Sequence, residues 1–189
     1  ETLNVVSNGT ANVAAFKNTT NVTTKEINIS GAADLKVTEI DTTVTSVDAS
    51  TATGDLNLDL TGGTIASVTT GSGDDTVTMT KMDVDATIAG GEGADTLVLK
   101  GLVTGTIQPG LTGFETIDIS GLTGAVLLAG ANTMDVTTIK AVDKTGADFT
   151  VAELNASDIT IDLSETKGAN YTGSNTISVD SAASLTVNT

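Results

Sequence analysis

The sequence predicts an all-β chain, a right-handed parallel β-solenoid of about 20 residues per turn whose C-terminal part is less regular. Three observations predict it. Gly71-Ser72-Gly73-Asp74-Asp75-Thr76-Val77 returns 20 residues later as Gly91-Glu92-Gly93-Ala94-Asp95-Thr96-Leu97, and the weaker Gly113-Phe114-Glu115-Thr116-Ile117 places its acid at the same offset again. A loop and a short strand at constant spacing describe a coil whose turns stack. Apolar residues also alternate in runs of about five, broken by Gly, Asn, Asp and Ser, as half-buried strands require. Finally, hydrophobic residues make up 39% of the chain but aromatics only 2%. A bulky core uses aromatics for their large buried area, whereas a core two strands thick is filled by Val, Ile, Leu and Ala.

Taken in order, Val5 to Val22 is small and polar, with Asn-Gly and Asn-Thr breaks, and Ala11 to Phe16 suits either a strand or a short helical turn. From Glu26 the alternation is clear: Ile27 and Ile29, then Leu35 and Val37 after the turn Gly31-Ala32-Ala33-Asp34, then Val44 and Val47, then Leu56, Leu58 and Leu60. In the centre Val77/Met79, Leu97/Leu99 and Ile117/Ile119 form one inward column, with Thr78, Val98 and Asp118 facing out. The opposite wall draws on Ile65/Val68, Val84/Ile88, Val103/Ile107 and Val126/Leu128. Pro109 marks a turn between strands. Residues 1–135 thus form the solenoid, with its distinctive loops at 70–98, and 136–189 continue it with irregular turns. Past Asp135 the period decays, Asp148 to Leu154 suits one helical turn, and Asp158–Leu163 and Thr176–Val179 resume as strands. The competing arrangement is a pair of small antiparallel sandwiches, most plausible in that last part. About nine turns, some 40 Å of rod, are expected at the usual strand separation. The chain opens and closes in mid-pattern, at Glu1-Thr2-Leu3-Asn4-Val5 and Leu185-Thr186-Val187-Asn188-Thr189, which reads as a segment of a longer repetitive protein.

The loops carry the chemistry. Glycines permit tight turns that can aim backbone carbonyls at a common centre, and a carboxylate closes each turn. Oxygen donors of this kind suit a hard cation that takes six to eight ligands, and Ca2+ is the natural candidate. One loop supplies too few oxygens, so the shell is completed by the next turn. The candidate metal residues are Gly71, Gly73, Asp75, Gly91, Gly93, Asp95 and Glu115. The step between Asp75 and Asp95 has two full loops and ranks above the step between Asp95 and Glu115. Asp55 and Asp135 extend the acid spacing without the glycines and read as turn residues; Asn175 stands at an uncharged turn of similar shape.

Gly90-Gly91-Glu92-Gly93-Ala94-Asp95-Thr96-Leu97-Val98 resembles the RTX nonapeptide G-G-x-G-x-D-x-U-x at every fixed position, U being a large apolar residue. The copy from Thr70 to Thr78 departs only at its first position, where Thr70 stands in place of glycine. The resemblance implies a β-roll that binds calcium between turns and is exported by type I secretion. The Thr-, Ala-, Val-, Asn- and Gly-rich texture, with phrases such as Gly113-Phe114-Glu115-Thr116-Ile117-Asp118-Ile119-Ser120-Gly121, is similar to that of bacterial surface-layer proteins and large adhesins. It implies a structural segment of an extracellular lattice that self-associates through the full-length protein. Attachment to a cell-envelope glycan would fall to domains outside this sequence. The alternative is a passenger segment of a secreted adhesin that binds host or surface glycans. Phe16, Phe114, Phe149 and Tyr171 are too scattered to make a sugar-stacking face.

Composition excludes several classes. A net charge of −16, from 24 acids against eight lysines, argues against nucleic acid or anionic membrane as partners. Without cysteine or histidine there are no disulfides and no catalysis built on those residues. No catalytic constellation accompanies the carboxylates, and the chain reads as no enzyme. No apolar run approaches the roughly 20 residues of a membrane span. Asn28 and Asn155 sit in Asn-x-Ser patterns with a glutamate two residues earlier, a match that arises easily in so Ser-rich a chain.

Overall fold

A computed structural model describes residues 1–17, 23–80, 82–101, 105–107, 110–122, 126–129, 135–141, 149–154, 158–163, 176–179 and 184–188. Within them lie β1 (Thr2–Val6), β2 (Asn12–Phe16), β3 (Glu26–Gly31), β4 (Leu35–Ile40), β5 (Ser46–Ala52), β6 (Leu56–Asp59) and β7 (Ile65–Thr69). There follow β8 (Thr76–Met79), β9 (Met82–Ala89), β10 (Thr96–Gly101), β11 (Gly105–Ile107), β12 (Gly110–Thr112) and β13 (Thr116–Leu122). The last are β14 (Val126–Ala129), β15 (Thr138–Lys140), β16 (Phe149–Leu154), β17 (Asp158–Asp162), β18 (Thr176–Val179) and β19 (Ser184–Asn188). No helix occurs among the described residues.

The chain alternates between two walls. A six-stranded sheet runs β1-β3-β5-β7-β9-β12 and a nine-stranded sheet runs β2-β4-β6-β8-β10-β13-β15-β17-β19. A four-stranded sheet, β11-β14-β16-β18, takes over from the first. Neighbouring strands pair in parallel throughout, so the protein is a parallel β-solenoid and the antiparallel alternative is not realised. The nine strands of the longer wall mark about nine turns, as expected, at roughly 21 residues per turn rather than 20. Successive partners Val77, Leu97 and Ile117 keep the 20-residue step. Elsewhere loops take up extra residues: Thr2 pairs Glu26, Ile88 pairs Leu111, and Ile161 pairs Val187. The step holds at 20 through the glycine loops and settles at 22 from Ile117 to Ile161.

Parallel pairing with a side-chain period of two stacks like on like. Val37, Leu58, Val77, Leu97, Ile117, Ile139 and Ile161 follow one another in register up the nine-stranded wall, and all are buried. Ile27, Val47, Val68, Ile88 and Leu111 form the facing column. Met79, Leu99, Ile119 and Ile65 join the same core, as the alternation predicts. Thr78, expected to face out, is nevertheless buried, whereas Val98 and Asp118 are half-buried. The opposite-wall positions Ile107, Val126 and Leu128 lie on described strands of which only the backbone is described; Val84's side chain and all of Val103 fall outside the described residues.

Two local expectations are corrected or resolved. Phe149–Leu154 is a strand, β16, rather than a helical turn; it pairs with β14 and β18, and a stacked coil offers each turn backbone partners above and below that an isolated helical turn cannot match. Asn12–Phe16 is a strand for the same reason, paired with β4. Lys144, Asn155, Pro109, Tyr171 and Asn175 lie outside the described residues. Asn28 is on β3 and donates its amide to Asn4 Oδ1 at 3.1 Å.

Several strand corners share one device. Asp41, Asp48, Asp59 and Asp118 each accept a hydrogen bond from the backbone N–H two residues on, at Thr43, Ser50, Thr61 and Ser120. These Asx turns bend the chain where β4 and β6 end, at Asp41 and Asp59, and within β5 and β13, at Asp48 and Asp118. At Asp48 and Asp118 the pairing register slips immediately afterwards, so each marks a bulge.

Candidate metal centre

The glycine loops stack directly on one another. Gly91 and Gly93 adopt φ of 93° and 126°, which only glycine tolerates without strain. A Cβ at Gly91 would also stand 2.0 Å from the Gly71 carbonyl oxygen, and one at Gly93 would stand 2.3 Å from that of Gly73. Gly71 and Gly73 need no unusual φ, and it is close approach to Ala52 and Gly54 in the turn below that excludes a side chain. The Gly71 carbonyl is engaged in the coil itself, accepting from Glu92 N–H at 3.0 Å.

At this corner the backbone N–H groups cannot all reach a carbonyl in the neighbouring turn, and carboxylates take them instead. Two ladders result, running in opposite directions. Asp34 accepts from Asp55 N–H, Asp55 from Asp74 N–H, and Asp74 from Ala94 N–H, each reaching up one turn along an exposed edge. One residue along, the second ladder reaches down. Asp75 Oδ1 accepts from Leu56 N–H, Asp95 Oδ1 from Asp75 N–H and Glu115 Oε2 from Asp95 N–H, all at 2.7 Å. Asp135 adds a fourth step by accepting from Gly113 N–H at 3.0 Å. Asp55 and Asp135, read from sequence as turn residues, are therefore rungs as well. Hydrogen bonds from backbone N–H to a carboxylate are charge-assisted, roughly twice as strong as neutral ones.

Asp75 and Asp95 are both 1% exposed, yet their second oxygens differ. Asp75 Oδ2 accepts from Gly71 N–H at 3.2 Å, and the Thr70 hydroxyl lies within hydrogen-bond reach of the Gly90 and Ala89 carbonyl oxygens. Asp95 Oδ2 is buried and has no hydrogen-bond partner among the described residues. It lies 2.8 Å from where a Gly90 Cβ would stand, a point that the Gly113 carbonyl oxygen approaches to 1.8 Å. Two acceptors thus flank one spot with no side-chain donor at Gly90 to bridge them.

Electrostatics sharpen the contrast. Burial pushes the Asp75 carboxyl above its ordinary value, opposed by its bonds to Leu56, Thr70 and Gly71. For Asp95, burial, together with the neighbouring charges of Asp75, Glu115 and Asp74, outweighs the bond from Asp75 N–H and raises the pKa to about 7. By contrast, bonds from Ser50 hold Asp48 below the ordinary carboxylate value. The one ion pair recorded among the described residues, Lys17–Glu39 at 2.8 Å, belongs to other turns.

The predicted residues thus fall into two groups. Asp75, Asp95 and Glu115 come together as consecutive rungs, and Gly71, Gly73, Gly91 and Gly93 are the stacking contacts that let those rungs approach. Thr70, Gly90 and Gly113 were not among the candidates, although the substitution of Thr70 for glycine at the first motif position was the signal for them. Among the described residues no three carboxylates converge on one point, so an ion here would be held largely by main-chain oxygens. The donor set fits a hard, oxygen-seeking cation in kind: a buried unpartnered carboxylate oxygen, an adjacent carbonyl and surrounding negative charge. No family model, curated protein or solved structure matches the chain.

Proposed function

We propose that this chain is a structural, calcium-binding segment of a bacterial surface-layer protein, exported to the cell surface, where the full-length protein self-assembles. The observation that carries the calcium reading is Asp95 Oδ2, buried and unpartnered beside the Gly113 carbonyl. A carboxylate in that setting favours either a proton or a cation between the two oxygens. Calcium would be held by Asp95 and the Gly113 carbonyl, with Glu115 contributing negative charge from the turn above. The ion would sit at the step between Asp95 and Glu115, the one the motif alone ranks second. Its chemistry there is structural: it screens the carboxylate column and ties one turn to the next.

Shape and charge support the self-assembly reading. A stiff solenoid of net charge −16 repels its copies, and divalent cations relieve that repulsion. Of the aromatic residues a glycan site would draw on, Phe114 is 2% exposed and belongs to the core.

The test is a thermal melt of chelator-treated protein with and without calcium. Extracellular calcium modules have Kd values of about 10⁻⁴–10⁻³ M. At roughly 10 mM calcium that stabilises the fold by about 1.4–2.7 kcal/mol. For a chain of this size the midpoint rises by about 3–10 °C. An unchanged midpoint removes the metal from the account. Electron microscopy of the longer parent protein tests assembly: ordered sheets are expected with calcium and dispersal on chelation. A monodisperse parent under both conditions that binds a defined glycan would replace this reading with the adhesin.

A further inference from the structure

We propose that the two ends of the coil are docking surfaces for a second copy of this chain: β1 and β2 of one copy receive β18 and β19 of the next, so that copies stack head to tail into one continuous solenoid. The contact deepens the self-assembly reading above and needs no calcium.

A coil of parallel strands satisfies its backbone by pairing each strand on both sides, and its ends are where that fails. β1 and β2 begin their sheets and β18 and β19 finish theirs, so each has a neighbouring strand on one side only. Natural edge strands are commonly guarded by charge or proline. Here Thr2–Val6, Asn12–Phe16, Thr176–Val179 and Ser184–Asn188 contain neither. Charge begins one strand in, with Glu26 on β3, Lys36 and Glu39 on β4, Glu153 on β16, and Asp158 and Asp162 on β17. In a chain of net charge −16, all four terminal strands are neutral.

Packing at the N-terminal end is also unfinished. Val6 at 65% and Val13 at 73% are the large apolar side chains left exposed among the described residues, and they lie on β1 and β2. Leu3, Val5, Ala14 and Phe16 are only partly buried, although their partners Ile27, Ile29, Val37 and Ile40 are 3% exposed or less. At the first corner Gly9 has nothing within 4 Å of where its Cβ would stand, whereas at Gly31 the Ser7 carbonyl oxygen is 2.0 Å away. One further turn would supply what each later turn receives from the one before it.

The other end has the matching register. The nine-stranded wall keeps one column from Ala14 and Val37 to Ile161 and Val187. Continued across a joint, it sets Val187 of one copy against Ala14 of the next, and the exposed Thr186 against Val13. The two ends are different surfaces, so the contact is heterologous and repeats without closing. Pairing of two like ends would stop at a dimer.

Light scattering of the chain in chelator, over a concentration series, tests this. Salt of about 0.15 M, with a Debye length of about 8 Å, screens the carboxylates of separate rods. The wild-type mass is expected to climb past twice that of the monomer. Val6→Lys and Val13→Lys, both at exposed positions, should stay monomeric, while Asn57→Lys on the exposed face of β6 should associate like wild type. Val13→Lys keeps its C-terminal end, so a small fraction added to wild type should shorten the filaments. A wild type that stays monomeric, stops at a dimer, or responds alike to Val13→Lys and Asn57→Lys overturns end stacking. A monomeric chain whose longer parent still forms sheets removes the stacking and leaves the self-assembly reading standing. Should the lysine variants fail to fold, hydrogen exchange of the wild type decides it. Amides of β1, β2, β18 and β19 should gain protection as concentration rises and those of β7 and β8 should not; uniform or absent change is the contrary result.

Discussion

The same substitution at two equivalent buried acids should have opposite consequences. Asp75→Asn keeps the oxygen that accepts from Leu56 N–H at 2.7 Å but turns an amide NH2 toward the Gly71 N–H, which now bonds Oδ2 at 3.2 Å. A buried donor is then left facing a donor, at a cost of about 1–3 kcal/mol. Asp95→Asn keeps the oxygen that accepts from Asp75 N–H, also at 2.7 Å, and places its NH2 where Oδ2 has no partner and the Gly113 carbonyl is near. There the amide supplies the missing donor and removes a charge that burial and three neighbouring acids oppose. Without metal, Asp95→Asn should be neutral or stabilising by up to about 1 kcal/mol, the value of one added hydrogen bond. Urea unfolding in chelator measures both, as shifts of the midpoint at unchanged slope. In calcium the gap between the two variants narrows, because Asp95→Asn discards the carboxylate that holds the ion. Equal destabilisation by the two variants in chelator would refute the assignment of Asp95 Oδ2 as the odd oxygen.

Other outcomes follow from the same structure. Leu97→Ala, in the middle of the stacked column and fully buried, should cost about 2–5 kcal/mol by chemical unfolding, and Val98→Ala on the half-buried outer face much less. Gly91→Ala and Gly9→Ala both force a side chain into positive φ, but only at Gly91 would the new carbon meet backbone, 2.0 Å from Gly71 oxygen, so its melting point should fall further. In the folded chain burial raises the Asp95 pKa to about 7 from its ordinary 3.8, so folding takes up a proton. Its contribution to stability is complete below pH 3.8 and is lost as pH rises through 7. The metal-free midpoint should therefore decline across that interval more steeply in the wild type than in Asp95→Asn, and matching slopes would contradict the burial of an unpartnered carboxylate.

The solenoid was legible because its evidence is periodic. Val77, Leu97 and Ile117 sit 20 residues apart in the sequence and in register in the sheet, and Gly91 and Gly93 between them are positions where a Cβ would strike the turn below. Where the period fails, so does legibility. Phe149–Leu154 has the local composition of a helical turn, and only pairing with strands distant in sequence makes it β16. The site was half legible. Spacing alone identified Asp75, Asp95 and Glu115 as a column, but it could not say that their first oxygens are spent on backbone N–H groups of the turn below. Nor could it show that Asp75 Oδ2 meets Gly71 N–H while Asp95 Oδ2 has no partner, since that depends on which atoms two stacked turns bring together.

The most direct test of the central claim is an anomalous-difference map from crystals of this chain soaked in calcium. One peak is expected about 2.3–2.6 Å from Asp95 Oδ2 and from the Gly113 carbonyl oxygen, with none beside Asp75. Crystals that diffract well and show no peak at Asp95, or show one at Asp75 instead, would contradict it.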